Sequence, residues 1–239
     1  MQNIFERHEK KYLISKEQSV AFRKIILQHM EPDQYSEYLV QNIYYDNEGW
    51  DVIRRSIEKP MYKEKMRLRC YDIPNNESKV FLELKKKYKG VVYKRRLEIL
   101  YKDLIFKSTK DIVAAYNSQF LRELNFFMIK NLVLEKIYIS HSRIAFSGKE
   151  QKGLRVTFDA DICFRLDKLD FLHPDKGNLI LPKDKILLEI KSLSGMPLWM
   201  ARFLCENKIF PTAFSKYGRC YTDYIIRQTK IKKEDLLSA

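Results

Sequence analysis

The chain has 239 residues, of which 45% are hydrophobic and 13% aromatic, so it can bury a core and is too apolar to stay unfolded. Its 45 Lys and Arg against 31 Asp and Glu give a net charge of +14, which attracts acidic partners without identifying them. The scattered cysteines, Cys70, Cys163, Cys205 and Cys220, match no zinc or disulfide pattern, and no apolar run suits a signal peptide or a membrane span. No linker interrupts the chain, so we expect one domain over 1–239 in the cytoplasm.

The predicted elements, in chain order, are those of an antiparallel sheet with helices at its ends and in one insertion. Runs rich in β-branched, aromatic and leucine residues predict strands at 4–14, 38–45, 62–72, 79–88, 91–101, 132–146, 153–164 and 185–192. Helix signals, beginning with a capping box at Ser15 and Gln18, predict helices at 15–30, 49–58, 109–130 and through the remainder after Pro197. The two-residue connection Lys89-Gly90 predicts a hairpin. We therefore expect an α+β fold, an antiparallel β-barrel of about eight strands with helices packed on the outside.

Charged residues recur at every second position in most of these strands. Side chains alternate between the two faces of a strand, so each row of charges lies on one face. The rows are Lys63, Lys65, Arg67 and Arg69; Glu83, Lys85 and Lys87; Lys94, Arg96 and Glu98; His141 and Arg143; Arg155, Thr157, Asp159 and Asp161; and Glu189 and Lys191. A solvated outer face would explain any single row, but repetition on six strands favours a shared cationic wall.

The pattern alone leaves two arrangements open. The residues between the charged ones are apolar, namely Met66, Leu68, Leu82, Leu84, Leu154, Val156, Phe158, Leu188 and Ile190. Either these residues fill the barrel and the charges lie outside, or the charges line the interior. Amphipathic helices need an apolar surface to pack on, which favours the charged interior. Such a tunnel suits a long, flexible polyanion such as a chain of phosphates.

Short motifs follow one another along nearly the whole chain. They are Arg7-x-Glu9-x-Lys11-Tyr12, Tyr44-Tyr45-Asp46, Lys65-x-Arg67-Leu68-Arg69, Phe81-Leu82-Glu83-Leu84-Lys85, Lys94-Arg95-Arg96, Arg143-Ile144-Ala145-Phe146, Leu154-Arg155-Val156-Thr157-Phe158-Asp159, Leu188-Glu189-Ile190-Lys191 and Phe214-Ser215-Lys216-Tyr217. Each is weak alone. Their order and spacing resemble the VTC domain, the polyphosphate polymerase branch of the triphosphate tunnel metalloenzymes, which are more distantly related to the CYTH phosphatases.

The resemblance implies an eight-stranded tunnel that binds a nucleoside triphosphate and a divalent metal, Mn²⁺ or Mg²⁺. By that analogy the phosphate ligands of the catalytic site are Lys11, Arg67, Arg69, Lys85, Lys94, Arg143 and Arg155. Further contacts around the phosphate chain are Lys191, Ser215 and Lys216, and Glu189 is the metal ligand. The shared strand faces and motifs add Glu9, Lys65, Lys87, Arg96 and His141 as substrate-binding residues. These residue types fit, because Arg forks and Lys ammonium groups bind phosphate, and a carboxylate among them can hold a hard cation.

The implied reaction transfers the γ-phosphoryl group of ATP to the end of a growing polyphosphate chain and releases ADP. It requires alignment and charge stabilisation, and no general base is needed because a terminal phosphate is already ionised. Hydrolytic CYTH members resemble one another in an opening Glu-x-Glu-x-Lys, whereas this chain has Arg7 at the first position, which favours the polymerase. A CYTH-type triphosphate or polyphosphate hydrolase stays open, since Glu83, Glu98, Asp159 and Glu189 could serve metal and water.

A non-catalytic module that binds a polyanion is the other alternative. The basic faces contain almost no aromatic residues on which bases could stack, so we expect ATP and inorganic polyphosphate as partners and no nucleic acid. The sequence leaves open the preferred metal, the nucleotide specificity and whether a membrane partner assists.

Overall fold

The structure, a computed structural model, describes residues 8–89, 91–115, 118–174, 177–193 and 195–227. The strands are β1 (His8–Ser15), β2 (Met30–Asp46), β3 (Tyr62–Tyr71), β4 (Lys79–Tyr88), β5 (Val91–Leu100), β6 (Leu134–Gly148), β7 (Arg155–Arg165), β8 (Asn178–Leu179) and β9 (Lys185–Ser192). The helices are α1 (Lys16–His29), α2 (Asp51–Ile57), α3 (Tyr101–Phe106), α4 (Thr109–Ala115), α5 (Gln119–Asn131), α6 (Leu198–Glu206) and α7 (Lys216–Cys220), which continues into a π-helical turn at Tyr221–Ile225.

All the strands belong to one antiparallel sheet. Their order is β1-β9-β7-β6-β2-β3-β4-β5, and the short β8 pairs with β7 only. The end strands β1 and β5 do not pair with each other within the described residues. The α+β fold with a large antiparallel sheet is therefore confirmed, whereas the predicted closure into a barrel is not, because no ladder joins these two strands.

Several element boundaries differ from those predicted. β2 begins at Met30, well before the predicted strand at 38–45. Its register with β6 shifts between Pro32 and Glu37, so the alternation of side chains is not regular through this first part of the strand and does not predict it. The predicted helix at 109–130 is α4 and α5, and Ser118 caps the second of these. The chain between α6 and α7 is not helical, and β8 was not predicted. Residues 4–7 of the opening strand, with Arg7, lie outside the described residues.

Helices cover the apolar face of the sheet, as the alternation predicts. α4 and α5 pack against Met66, Leu68, Leu82 and Leu84 of β3 and β4. α1 and α6 cover β7 and β9. The ring of Phe22 in α1 stacks on that of Phe203 in α6, with 4.6 Å between the ring centroids. Each such fully buried side chain contributes about 1.5–3 kcal/mol relative to exposure. The charged residues therefore lie on the opposite face.

The sheet curls around this second face. Lys85 of β4 interacts electrostatically with Glu9 and Lys11 of β1 and with Lys191 of β9, although β4 and β1 are far apart in the strand order. Lys65 of β3 interacts with Lys11 in the same way. Such interactions require the two halves of the sheet to face each other. The charged face is therefore concave.

Asp46 at the end of β2 joins this strand to two helices. Its carboxylate accepts hydrogen bonds from the N–H groups of Val52 and Ile53 in α2, both at 2.9 Å. It also accepts one from the hydroxyl of Tyr217 in α7 at 2.7 Å. Because Tyr217 follows Lys216 directly, the buried carboxylate holds in place the helix that presents Lys216 to the charged face.

We expect Asp46→Ala to lower the free energy of unfolding by about 3 kcal/mol, because buried N–H and hydroxyl groups lose their acceptor. The matched control is Asp51→Ala, which removes a more exposed carboxylate from the first turn of α2 and should cost less than about 1 kcal/mol. Urea unfolding followed by circular dichroism measures both values. Equal losses in the two variants would contradict the role given to Asp46.

Candidate active site

The charged face gathers side chains from β1 to β7, from β9 and from the start of α7. All the predicted site residues lie within the described residues. Most of them are grouped around three buried carboxylates, those of Glu83, Asp159 and Glu189. The groups arise because alternate residues of neighbouring antiparallel strands lie side by side on one face.

The first group surrounds Glu83 on β4. Nε of Arg67 donates to Oε2 of Glu83 at 2.7 Å, and Nζ of Lys94 lies 2.5 Å from Oε1. Nε of Arg69 lies 3.9 Å from the same carboxylate. Burial would raise the pKa of Glu83, which is 1% exposed, but Arg67, Arg69 and Lys94 outweigh burial and hold the pKa far below its usual value. The carboxylate therefore anchors cations and is a poor base.

The second group surrounds Asp159 on β7. Arg143 donates through Nε and Nη2 to the two carboxylate oxygens at 2.6 and 2.8 Å, which is a bidentate pair. Nζ of Lys216 donates to Oδ2 at 2.5 Å. Burial opposes ionisation, yet Lys216 and Arg143 hold the pKa of Asp159 well below its ordinary value. This carboxylate, too, fixes cations and binds protons weakly.

His141 lies beneath the second group. Its Nε2 is 3.6 Å from Oδ2 of Asp159, and the side chain is 2% exposed. Burial, together with Lys216, lowers the pKa of His141 well below its usual value, so the imidazole is neutral at neutral pH. The sequence predicted His141 as a substrate contact. In the structure its side chain is buried beside Asp159.

The third group surrounds Glu189 on β9. Nζ of Lys191 lies 2.8 Å from Oε1 of Glu189, and Lys11 of β1 is the register partner of Glu189. Nζ of Lys11 donates to the carbonyl of Phe214 at 3.0 Å and lies 3.3 Å from the carboxylate of Glu9. Burial lowers the pKa of Lys11, but Glu189 and Glu9 outweigh it and raise the pKa. Lys11 is therefore firmly charged, with a carboxylate on either side.

One end of the charged face, which we call the lysine end, consists of Lys63 and Lys65 on β3 and Lys85 and Lys87 on β4. These residues are cross-strand partners, Lys63 with Lys87 and Lys65 with Lys85. Among the described residues none of them has a carboxylate within 4.0 Å. Burial, together with Lys63, Lys85 and Lys11, lowers the pKa of Lys65 to about 8. An anion that entered here would relieve the repulsion among these ammonium groups.

The remaining predicted residues lie at the margins. Nη2 of Arg155 donates to Oδ2 of Asp33 at 2.5 Å and to the hydroxyl of Tyr38 at 3.4 Å. Arg96 is exposed, and its guanidinium lies 4.6 Å from the ring centroid of Phe81. Oγ of Ser215 accepts a hydrogen bond from the N–H of Gly218 at 3.1 Å and so caps α7. Glu98, which the sequence left as a ligand for metal and water, pairs with Lys79 on the exposed edge.

Sequence reasoning missed several uncharged residues of the charged face. The hydroxyl of Tyr44 accepts a hydrogen bond from Nη1 of Arg67 at 3.1 Å, and Oδ1 of Asn42 accepts one from Nε of Arg69 at 2.9 Å. Burial opposes ionisation of Tyr44, but Arg67 and Arg69 outweigh it and lower the pKa to about 8. The period-two spacing of Tyr38, Asn42 and Tyr44 along β2 was the available signal.

Aromatic residues on the charged face correct a further expectation. The sequence pattern predicts almost no aromatic residues among the basic ones. In the structure Tyr38, Tyr71 and Phe81 lie beside Arg69, Arg96 and Arg143. Tyr71 comes two residues after the charged row of β3, and Phe81 comes two residues before that of β4. Both therefore lie outside the charged rows that the sequence pattern identifies.

The carboxylates of the charged face are the candidate metal ligands. The described residues contain no group of three or more His, Cys, Asp or Glu side chains arranged to hold a metal. Cations lie beside all three buried carboxylates, and Glu189 differs in that a second carboxylate, that of Glu9, lies on the other side of Lys11. Mg²⁺ often takes one or two protein carboxylates and completes its coordination with substrate phosphates and water. Glu189 therefore fits a metal that is shared with a phosphate substrate and does not fit a cage made by protein alone.

Comparison with known proteins identifies the family. The sequence matches the VTC domain over residues 6–224. The chain belongs to the VTC domain family. No curated protein matches it.

Two solved structures are similar to this VTC domain, and the first of them shares its fold. A Hippeastrum protein, named a candidate adenylyl cyclase with a dominant triphosphatase activity, is 15% identical, with a TM-score of 0.51 over 88% of this chain and 92% of its own. A candidate adenylate cyclase from Vibrio parahaemolyticus is 12% identical, with a TM-score of 0.48 over 92% of this chain and 100% of its own.

None of the helices in the described part of the chain combines the length and the apolar character that a membrane span requires.

The lowered lysine pKa values predict weaker polyanion binding at alkaline pH. Burial lowers the pKa of Lys65 and of Lys94 to about 8, so both are charged below that pH and lose their protons above it. We expect the affinity for tripolyphosphate to fall by at least about tenfold between pH 7 and pH 9, since the charged fraction falls tenfold per pH unit above the pKa. Calorimetric titration across this range measures the change.

The control is the double variant Lys65→Arg with Lys94→Arg, because guanidinium groups do not titrate in this range. We expect a flatter pH profile in this variant. The slope that persists belongs to Tyr44, whose ionisation near pH 8 adds negative charge to the same face. An identical profile in the wild type and the double variant would rule out these lysines as its cause.

Proposed function

We propose that the protein is a metal-dependent polyphosphate polymerase, an ATP:polyphosphate phosphotransferase that adds the γ-phosphoryl group of ATP to a growing polyphosphate chain. The observation that carries the proposal is the concave face on which cations from β1, β3, β4, β5, β6, β7, β9 and α7 converge. Donor and acceptor are both linear phosphate chains. A single row of cations can therefore hold them end to end, as an in-line transfer requires.

The cations divide the work of binding and transfer. Arg67 and Arg143 are fixed by Glu83 and Asp159, so their guanidinium groups are already oriented when a substrate arrives. Preoriented donors stabilise the charge that develops on the equatorial oxygens without reorganisation at the moment of transfer. Lys11, Arg69, Lys85, Lys94 and Arg155 complete the proposed set of phosphate ligands.

The protonation state of the carboxylates supports transfer to phosphate over transfer to water. The cations keep the pKa values of Glu83, Asp159 and Glu189 well below the ordinary range. A carboxylate with so low a pKa takes a proton from water poorly. A terminal phosphate is already ionised and needs no base. Hydrolysis remains the competing function because the Hippeastrum relative is described as having a dominant triphosphatase activity.

The proposal includes a divalent metal, Mn²⁺ or Mg²⁺, held by Glu189 together with substrate phosphates. The bound metal would neutralise charge on the phosphate oxygens. Lys191 and Lys11 beside Glu189 keep that carboxylate ionised. Glu9, on the other side of Lys11, is the second carboxylate available there. We also propose that the protein acts in the cytoplasm, with ATP and inorganic polyphosphate as its partners.

Replacing Arg67 with Ala should abolish polyphosphate synthesis, with a rate at least about a hundredfold lower, because a preoriented donor to the transferred group is lost. The matched control is Arg95→Ala on the opposite face of β5, where Nη1 of Arg95 pairs with Glu123 of α5 at 2.7 Å. We expect normal synthesis in this control. The assay incubates each protein with ATP and Mn²⁺ and stains a gel for polyphosphate.

The products of the same assay separate the alternatives. Equal amounts of ADP and free orthophosphate without polymer would indicate the hydrolase. Absence of nucleotide turnover with any divalent metal would indicate a binding module.

Replacing Glu189 with Gln should remove the metal dependence of phosphate binding, because the amide is neutral and binds hard cations weakly. We expect Mn²⁺ to increase the affinity of the wild type for tripolyphosphate and to leave that of Glu189→Gln unchanged. Calorimetric titration with and without Mn²⁺ measures the difference. A variant that still responds fully to Mn²⁺ would remove Glu189 from the metal site.

A further inference from the structure

Three aromatic side chains form a row across the charged face, opposite to the lysine end. This aromatic row consists of Tyr38 on β2, Tyr71 on β3 and Phe81 on β4. The rings of Tyr38 and Tyr71 are 5.7 Å apart at 70°, and those of Tyr71 and Phe81 are 5.7 Å apart at 68°. All three side chains are half-buried, so each keeps some surface open to a ligand.

Arginine side chains line the aromatic row. The guanidinium of Arg96 lies 4.6 Å from the ring centroid of Phe81, and that of Arg69 lies 5.8 Å from the centroid of Tyr71. Arg155 contacts the hydroxyl of Tyr38 at 3.4 Å. Phosphate ligands and flat apolar surfaces therefore adjoin at this end of the charged face. A nucleobase can stack on an aromatic ring or on a guanidinium plane.

The other rings near the charged face are closed to a ligand. Tyr44 is 8% exposed and Tyr217 is 2% exposed, and their rings pack against each other at 4.9 Å. Within the described residues the aromatic row is thus the accessible aromatic surface of this face. The cations bind any chain of phosphates alike, so they cannot distinguish ATP from tripolyphosphate.

The strand register sets the distance between the two ends. Phe81 pairs with Arg69, whereas Lys85 and Lys87 pair with Lys65 and Lys63. Phe81 and Lys87 are therefore separated by roughly 20 Å along β4 at about 3.3 Å per residue. The group around Glu83 lies between these ends, whereas Arg143, which pairs with Asp159, is the register partner of Tyr38 in the aromatic row.

We propose that the aromatic row binds the base of the donor nucleotide, so that its phosphates lie along the charged face and the polyphosphate chain extends past the lysine end. The inference rests on the proposed function only in taking a nucleoside triphosphate as the donor. It assigns recognition of the base to Tyr38, Tyr71 and Phe81, and recognition of the phosphates to the cations. ATP and tripolyphosphate should therefore respond differently to changes in the aromatic row.

The test compares two ligands by calorimetric titration. One is an ATP analogue with a nitrogen bridge between the β- and γ-phosphates, and the other is tripolyphosphate. We expect Tyr71→Leu and Phe81→Leu each to weaken binding of the analogue about tenfold, because base stacking is lost. Affinity for tripolyphosphate should stay within about twofold of the wild type, which also shows that the variants fold. The matched control is Tyr93→Leu, a 40% exposed ring on the opposite face of β5, which should change neither affinity.

Equal losses for both ligands, or an unchanged affinity for the analogue, would overturn the inference. The outcome is independent of turnover. If the wild type makes no polyphosphate and the variants still lose only the analogue, the proposed function fails and the base site stands. If polyphosphate is made but the losses are equal, the base site fails and the proposed function stands.

Discussion

The structure depends on holding many positive charges close together before any ligand is bound. Like charges repel at short range, and burial adds a desolvation cost to each of them. Buried carboxylates offset both effects: Glu83, Asp159 and Glu189 each contact cations at 2.5–2.8 Å. The same contacts fix the guanidinium groups of Arg67 and Arg143. The cations are therefore already oriented, and the carboxylates that orient them reduce the net positive charge of the face.

The same need for balancing carboxylates is met by different elements on the two faces of the sheet. On the helix-covered face, Lys86 and Arg95 both reach Glu123 of α5, at 2.9 and 2.7 Å. A helix thus supplies the balancing carboxylate for the cations of that face. On the charged face the balancing carboxylates come from the strands themselves, and among the described residues the lysine end has none within ion-pair distance.

The sequence predicts the two-faced strands because alternation is a local property that any strand carries in its own residues. It also predicts the charged interior, since the helices need the apolar alternates. Ion pairs between residues far apart in the chain cannot be predicted in this way. Lys216 and Asp159 are 57 residues apart, and Arg155 and Asp33 are 122 apart, so spacing cannot reveal them. The extent of β2 and the edges of the sheet depend on long-range pairing and a register shift, which local patterns do not contain.

Under the proposed polymerase function, the distribution of arginine and lysine along the charged face matches the different demands of reaction and passage. Arginine presents a rigid fork that fixes the orientation of a phosphate, and Arg67, Arg69 and Arg143 lie where carboxylates hold them still. Lysine is a point charge on a flexible stem, and among the described residues Lys65 and Lys85 have no carboxylate within 4.0 Å. A polymer that advances by one unit per transfer needs contacts that exchange without a fixed register. In the proposed function, the guanidinium forks that carboxylates hold in place bind the reacting phosphates, and the ammonium groups of the lysine end bind the chain beyond them on the same face.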